Sequence, residues 1–174
     1  MNVFKTSLVK VVLATTLIAG GAIAPAQAVD NKTFDVTITI KNSCHVTSTE
    51  NVAFGNRQAL VATVDTTGSV SVQCTNGAPY EVALNAGVNS TNDINARRMK
   101  HATGTDTIAY QLYRDSGYAD IWGQTDTVDT VGGTGTGFGD TSFDVKHVVY
   151  ARATIIGDEP AGTYSDVVIA TVTL

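Results

Sequence analysis

FDVTITI, residues 34–40, alternates apolar and polar side chains at every position. Its apolar members, Phe34, Val36, Ile38 and Ile40, share one face of an extended strand, because successive side chains point to opposite sides of the strand. The β-branched residues that fill most of the stretch favour a pleated, half-buried surface. The pattern predicts a β-strand with one face suited to burial. Its simplest interpretation is the first strand of a sandwich, packed into the chain's own core.

The same alternation with a period of two recurs along the chain. Further strands are predicted over residues 59–64, 69–75, 80–86, 107–114, 143–156 and 163–174. Turn residues separate several of them, at 66–68, 76–79 and 158–162. Short strands with turns between them predict an all-β sandwich. No shift in composition divides these runs, which indicates a single domain.

The first 28 residues have the order of an export signal. Lys5 and Lys10 form a positive start, residues 11–24 are an uncharged apolar run, and a small-residue segment ends at Ala28. The run is shorter than the roughly 20 apolar residues that a membrane-spanning helix needs. We predict a cleaved signal over residues 1–28, with cleavage between Ala28 and Val29.

The mature chain is acidic. Removing Lys5 and Lys10 from the 11 basic residues leaves 9 against 16 acidic residues, a net charge of −7. Nucleic acid is therefore not an expected partner, since phosphate contacts demand clustered Lys and Arg. The one basic cluster, residues 97–100, is interpreted as a solvated loop or strand face.

Cys44 and Cys74 are the only cysteines. An exported chain reaches an oxidising compartment, so an even pair predicts one disulfide. A metal site needs more ligands close together, and His101 and His147 lie far along the chain from His45. No metal or cofactor is expected.

The glycine-rich stretch VGGTGTGFGD, residues 131–140, invites two functional interpretations. A phosphate-binding loop would need a preceding strand, a following helix and often a lysine. A calcium-binding glycine repeat would need Asp within each of several units. Neither pattern is present, so residues 123–140 are predicted to be a flexible connection between strands. The mature sequence also lacks Gly-x-Ser-x-Gly, His-Glu-x-x-His and Ser-x-x-Lys motifs, and an enzyme is not expected.

The last alternating run, YSDVVIATVTL over residues 164–174, places Val168, Ala170, Val172 and Leu174 on one face. No turn or further strand follows. As the penultimate strand of an immunoglobulin-type sandwich, it would leave a hydrophobic groove and unpaired backbone groups where the final strand belongs. Tyr164 is either the corner tyrosine of such a sandwich or a plain strand-start tyrosine.

Four segments together carry a family resemblance: FDVTITIKNSC (34–44), SVSVQCTNGAPYEVALNAG (69–87), DTIAYQLYRD (106–115) and AGTYSDVVIATVTL (161–174). They span nearly the whole mature chain. In this set of motifs the chain resembles the spore coat protein U domain family, which includes major subunits of archaic chaperone–usher pili. It departs from the family at YARAT, residues 150–154, where many relatives carry a glycine between the tyrosine and the arginine.

The resemblance implies an incomplete immunoglobulin-like sandwich over residues 43–174, which lacks its final strand and is completed by a donor strand. Residues 29–42 would be the donor-strand extension, which each copy inserts into a neighbouring copy. Its donor side chains would be Phe34, Val36, Ile38 and Ile40. The acceptor groove, or the surface bound by a chaperone, would include Val168, Ala170, Val172 and Leu174.

The implied partners are a periplasmic chaperone, an outer-membrane usher and copies of the chain itself, with a tip adhesin as a further candidate. The implied role is that of a surface-fibre subunit in adhesion and biofilm formation, exported through the periplasm. Two alternatives stay open. One is a secreted spore-coat or matrix protein assembled by the same strand exchange. The other is a monomeric secreted binding domain in which FDVTITI supplies the last strand to its own sandwich.

Overall fold

The computed structural model describes residues 29–58 and 60–174. The predicted export signal over residues 1–28 lies outside these residues. The chain divides into two units, the first reaching Ile38 and the second comprising Thr39–Leu174. The described part of the second unit contains nine strands: β1 Cys44–Glu50, β2 Ala62–Cys74, β3 Pro79–Leu84, β4 Arg98–His101, β5 Thr107–Tyr113, β6 Val131–Thr134, β7 Val145–Ile155, β8 Tyr164–Ser165 and β9 Ala170–Thr173. A single 3-10 turn, Thr141–Phe143, precedes β7.

These strands form two antiparallel sheets, one in the order β1-β2-β7-β5-β4-β8 and the other in the order β6-β3-β9. The inward side chains of both sheets meet in one buried cluster, in which Val72 of β2 and Ala151 of β7 pack with Val82 of β3. Trp122 is fully buried in the same cluster, and its Nε1 donates a hydrogen bond to the Val82 carbonyl at 2.8 Å. The prediction of an all-β sandwich is confirmed. Within the described residues, no helix has the length and apolar character needed to cross a membrane.

The predicted disulfide between Cys44 and Cys74 is present, with the two Cα atoms 4.1 Å apart. The two residues are also register partners at the end of the β1–β2 pairing. The bond therefore ties the first strand of the sandwich to a strand whose cysteine is fully buried.

Two predicted features of the backbone are wrong. Residues 66–68 lie inside β2, which runs unbroken for 13 residues. Gly68 is needed there for space, since a β-carbon would lie 2.6 Å from the Glu50 carbonyl oxygen of the neighbouring strand. The segment 123–140 is not only a connection, because Val131–Thr134 forms β6 and pairs with β3. Its glycines fit under neighbouring side chains: a β-carbon at Gly133 would collide with the Tyr80 ring.

Arg97 lies in the interior and is not solvated as predicted, since only 1% of this residue is exposed. Its Nη2 donates to the carbonyls of Leu84, Asn85 and Trp122 at 2.8–2.9 Å, and its Nη1 donates to Gln111 Oε1 at 2.6 Å. Burial lowers the pKa of the guanidinium below its usual value. The interpretation of the basic cluster as solvated is therefore wrong at Arg97, which joins β3 and the Trp122 segment to β5.

Candidate functional site

Residues 29–43 form no strand and are exposed throughout. The apolar side chains of the alternation are exposed with the rest of the stretch: Phe34, Val36, Ile38 and Ile40 are each between 78% and 88% accessible. Soluble chains rarely leave a contiguous apolar strip in water unless it binds something. The segment therefore leaves four large apolar side chains in contact with solvent.

A groove between two segments of the sandwich reaches down to its core. One wall is the extended segment 51–58 that follows β1, and the other runs from Tyr164 of β8 to Ala170 of β9. Two adjoining cavities of about 520 and 490 Å³ fill the groove and share Phe54, Met99 and Tyr164. The core residues that form its floor include Val64, Val70, Leu84, Leu112, Val149 and Ile155.

The predicted acceptor residues lie at the groove in part. Val168 and Ala170 line it, and with Val172 they are partly buried against the core. Leu174 is instead mostly exposed. Because side chains alternate along this run, Val167 and Ile169 point to the other face and are exposed. The assignment of Val168, Ala170, Val172 and Leu174 as acceptor residues stays a prediction.

The sequence interpretation missed the opposite wall. Val52 and Phe54 are partly buried against the core, and residues 51–58 belong to no strand. The signal was present in NVAF, residues 51–54, where two apolar side chains stand two positions apart directly after β1. A β-bulge between Val46 and Ser48 shifts the register of β1 and hides this continuity with the preceding strand.

Asp166 fixes the position of the β8–β9 wall. Its Oδ1 accepts hydrogen bonds from the backbone N–H groups of Val88 and Asn89 at 3.0 and 3.2 Å, and its Oδ2 accepts one from the Tyr110 hydroxyl at 2.6 Å. Burial and this hydrogen bond raise the pKa of Tyr110 well above its usual range. Gly87 leaves room for the carboxylate, because a β-carbon there would collide with it. The wall is thus held by side-chain contacts in addition to its pairing with β3.

Tyr164 is the first residue of the same wall, at the start of β8. Its hydroxyl donates to the Pro160 carbonyl at 2.9 Å, which is the upstream backbone contact of a tyrosine corner. Its ring packs edge-on against His101, with the centroids 4.9 Å apart. Of the two interpretations of Tyr164, the corner tyrosine is the one that the hydrogen bond supports.

His147 is a half-buried imidazole between the sheets. Its Nε2 lies 2.9 Å from the Tyr80 hydroxyl, and the Trp122 ring stands edge-on to it. Burial lowers the pKa of this imidazole. Across the described residues, no group of three or more His, Cys, Asp or Glu side chains is arranged to hold a metal ion.

Because the folded-state pKa of His147 lies below the unfolded value, the unfolded chain takes up this proton first as the pH falls. We expect stability to decrease as the pH drops from about 7 to about 5, a range that begins just above the ordinary histidine pKa of about 6.5 and continues below it. His147→Gln, which keeps a polar partner for Tyr80, should flatten that dependence in urea unfolding followed by Trp122 fluorescence. His45→Gln, at an exposed position, controls for the loss of a histidine. An unchanged slope in His147→Gln would contradict the assignment.

Comparison with known proteins gives a family and one full-length relative. The model of the Spore Coat Protein U domain matches residues 30–171. "Protein U" of Myxococcus xanthus is 33% identical over an alignment 186 residues long. The alignment covers 99% of this chain and 99% of that protein.

Two solved structures are also similar. One is a CsuC–CsuE chaperone–tip adhesion subunit pre-assembly complex from archaic chaperone-usher Csu pili of Acinetobacter baumannii, 24% identical with a TM-score of 0.48 over 78% of this chain. The other is a chaperone–tip adhesin complex of CFA/I fimbriae, 12% identical with a TM-score of 0.38 over 76% of this chain. The match covers 41% of the length of each of those chains.

Proposed function

The chain belongs to the Spore Coat Protein U domain family, and on that premise we propose that it is a structural subunit of a secreted surface fibre of the archaic chaperone–usher type. Copies polymerise by donor-strand complementation: the extension over residues 29–42 of one copy fills the groove of the next. The fibre then supports adhesion and biofilm formation.

One observation carries the proposal: the same chain has both an exposed segment with the alternation of a β-strand and a groove with an apolar floor. The segment presents four apolar side chains at alternate positions. Core side chains form the floor of the groove between its two walls, and within the described residues β9 is an edge strand that pairs with β3. Strand addition uses these two properties, since backbone bonds give affinity and pockets for alternate side chains give specificity.

A durable joint between two copies requires both the burial of the donor side chains and the backbone hydrogen bonds of the donor strand. Burying four large apolar side chains is worth roughly 6–12 kcal/mol in total at about 1.5–3 kcal/mol each. Ordering the extension costs about 1–2 kcal/mol per residue in backbone entropy. Over the seven residues 34–40 the two terms are of similar size. The backbone ladder on an edge such as β9 must therefore add to the side-chain pockets before the joint becomes durable.

The partners follow from the open groove. A subunit with an apolar groove and an unpaired strand edge is prone to aggregation, so a periplasmic chaperone would cover the groove until assembly at an outer-membrane usher. A strand passed from each copy to the next forms a head-to-tail interface that does not close on itself. Such an interface generates a filament.

A second candidate is a secreted coat or matrix protein that assembles by the same exchange. The full-length similarity to Protein U, within a family named for a spore coat, favours it. If genes for a chaperone and an usher lie next to the gene that encodes this chain, the pilus subunit is favoured over the coat protein.

The test compares the mature chain with a variant lacking residues 29–40, both expressed in the periplasm with a cognate chaperone and usher. We expect the full mature chain to form heat-resistant ladders and fibres, and the deletion variant to form none while still binding the chaperone. A full mature chain that is a stable monomer, with a deletion that unfolds, would contradict the proposal. That result would make FDVTITI an ordinary core strand of a secreted binding domain.

A further inference from the structure

The groove has two distinct ends, set by the directions of its strands. At the lower end Cys44 pairs with Cys74, the last residue of β2. Near the same end, Thr173 of β9 pairs with Glu81, which lies in β3 shortly after the turn that follows β2. At the upper end lie residues 56–58, 60–61 and 156–163, next to the pairing of Ala62 with Ile155. β9 thus runs from the upper towards the lower end, and β1 runs the opposite way.

A donor strand beside β9 has a preferred direction. All strand pairs of the sheet β6-β3-β9 are antiparallel, and a further antiparallel strand continues the pattern with the more stable ladder. Running antiparallel to β9, the donor has Phe34 at the lower end of the accepting copy and Ile40 at its upper end.

The connection from donor strand to sandwich is short. Only Lys41, Asn42 and Ser43 separate Ile40 from Cys44, where β1 begins. Such a link spans at most about 14 Å when fully extended. Ser43 is moreover held to the lower end of its own sandwich, because its N–H donates to Thr75 Oγ1 at 2.9 Å. The lower end of the donating copy must then lie close to the upper end of the accepting copy.

Both of these ends expose apolar surface. The upper end carries Leu60, Val61 and Ile156, each 62–81% exposed. The lower end carries His45 and Phe138, whose rings stack with centroids 5.2 Å apart and planes 8° from parallel, and Phe138 is 43% exposed. The adjacent Gly137 bridges to Cys74, which anchors this aromatic pair to the disulfide-linked strands. The link also carries a cation, Lys41, towards an upper end that bears Asp158.

We infer that the Leu60–Val61–Ile156 surface of each accepting copy docks on the His45–Phe138 pair of the copy that donates its strand. The inference rests on the proposed function, and it adds to the strand joint a second contact between the same two copies. Two contacts separated by a three-residue link fix the angle between neighbouring subunits. The link keeps the two surfaces at high effective concentration, so even a small apolar contact stays closed.

Cysteine crosslinking in the assembled fibre tests this contact. In the full mature chain, Val61→Cys is combined with Phe138→Cys, and Ile156→Cys with His45→Cys as a second pair. Mild oxidation of fibres, followed by unfolding in hot concentrated guanidinium chloride to separate the strand joints, should leave a covalent ladder that collapses on reduction. Val61→Cys combined with Val148→Cys is the matched control, because Val148 is exposed on the outer face of β7, away from both ends. The single variants control for exchange with Cys44 and Cys74.

The outcomes separate the two hypotheses. Fibres with a ladder in both end-to-end pairs, and none in the control, support the docking contact. Fibres that assemble normally but give no ladder in either pair, or an equal ladder in the control, overturn the contact and leave strand donation standing. A wild-type chain that forms no fibres overturns the proposed function, and the contact with it.

Discussion

Ile38→Asp is expected to abolish polymerisation, whereas Thr37→Asp, one residue away, is expected to leave it intact. In a strand filling the groove, Ile38 faces the core of the accepting copy, and Thr37 faces the other way. An unpaired carboxylate at position 38 would have to enter an apolar pocket, which costs several kcal/mol or forces its protonation. That is a large part of the roughly 6–12 kcal/mol that the four donor side chains supply. The readout is the heat-resistant ladder of periplasmic extracts, with fibres counted by electron microscopy.

Thr37→Asp is a stringent control for this experiment. It adds the same charge to the same exposed segment, so effects on export, net charge and chaperone loading are shared by the two variants. Asp35 already lies on that face, which indicates that the face accepts a carboxylate. Equal polymerisation of the two variants, whether both assemble or both fail, would show that the register of the alternation does not determine assembly.

Most of the long strands were predictable because their signal is local, whereas β1 and the short β4 lie outside the predicted runs. Alternation along β3, β5 and β7 marks one face for burial, and the structure buries that face: Tyr80, Val82 and Leu84 of β3 are all within the core. The disulfide was predictable because only two cysteines exist in a chain whose first 28 residues predict an export signal. These inferences need only neighbouring residues or a count.

Glycine misled the prediction because its two uses look the same in a sequence. At Gly68 it was interpreted as a turn residue, but the structure uses it for close approach of the neighbouring strand inside β2. In VGGT, residues 131–134, glycine suggested flexibility, yet β6 forms because Tyr80 and Glu81 of β3 lie over that strand where side chains would stand. The deciding contacts come from residues about 50 positions away.

The groove was predictable only on one side. Val168, Ala170 and Val172 belong to a long alternating run, whereas Val52 and Phe54 follow a bulge and lie in a segment without regular pairing. Asp166 gave no signal, because its role is defined by the backbone of residues 88–89 and by Tyr110, on other parts of the chain. Polar residues that organise a fold through distant partners cannot be distinguished from surface residues by local pattern.

Arg97 is the extreme case, and Arg97→Met is expected to lower the free energy of unfolding by about 3–5 kcal/mol. The substitution removes all the guanidinium donors and leaves the carbonyls of Leu84, Asn85 and Trp122 short of a partner in the interior. Each buried polar group left unsatisfied costs about 1–3 kcal/mol. A loss of this size is comparable to the whole stability of a marginal domain. Urea unfolding followed by the fluorescence of Trp122, the single tryptophan, measures it.

Two further variants test whether geometry, charge or size is responsible. Arg98→Met removes the same charge from an exposed neighbour, and its effect should stay within about 0.5 kcal/mol. Arg97→Lys keeps the charge and most of the stem, but an ammonium cannot reproduce the planar fork that reaches several carbonyls and Gln111 together. It should therefore recover only part of the loss. Full recovery by lysine would mean that charge alone matters there, and a wild-type midpoint for Arg97→Met would mean that water satisfies the three carbonyls.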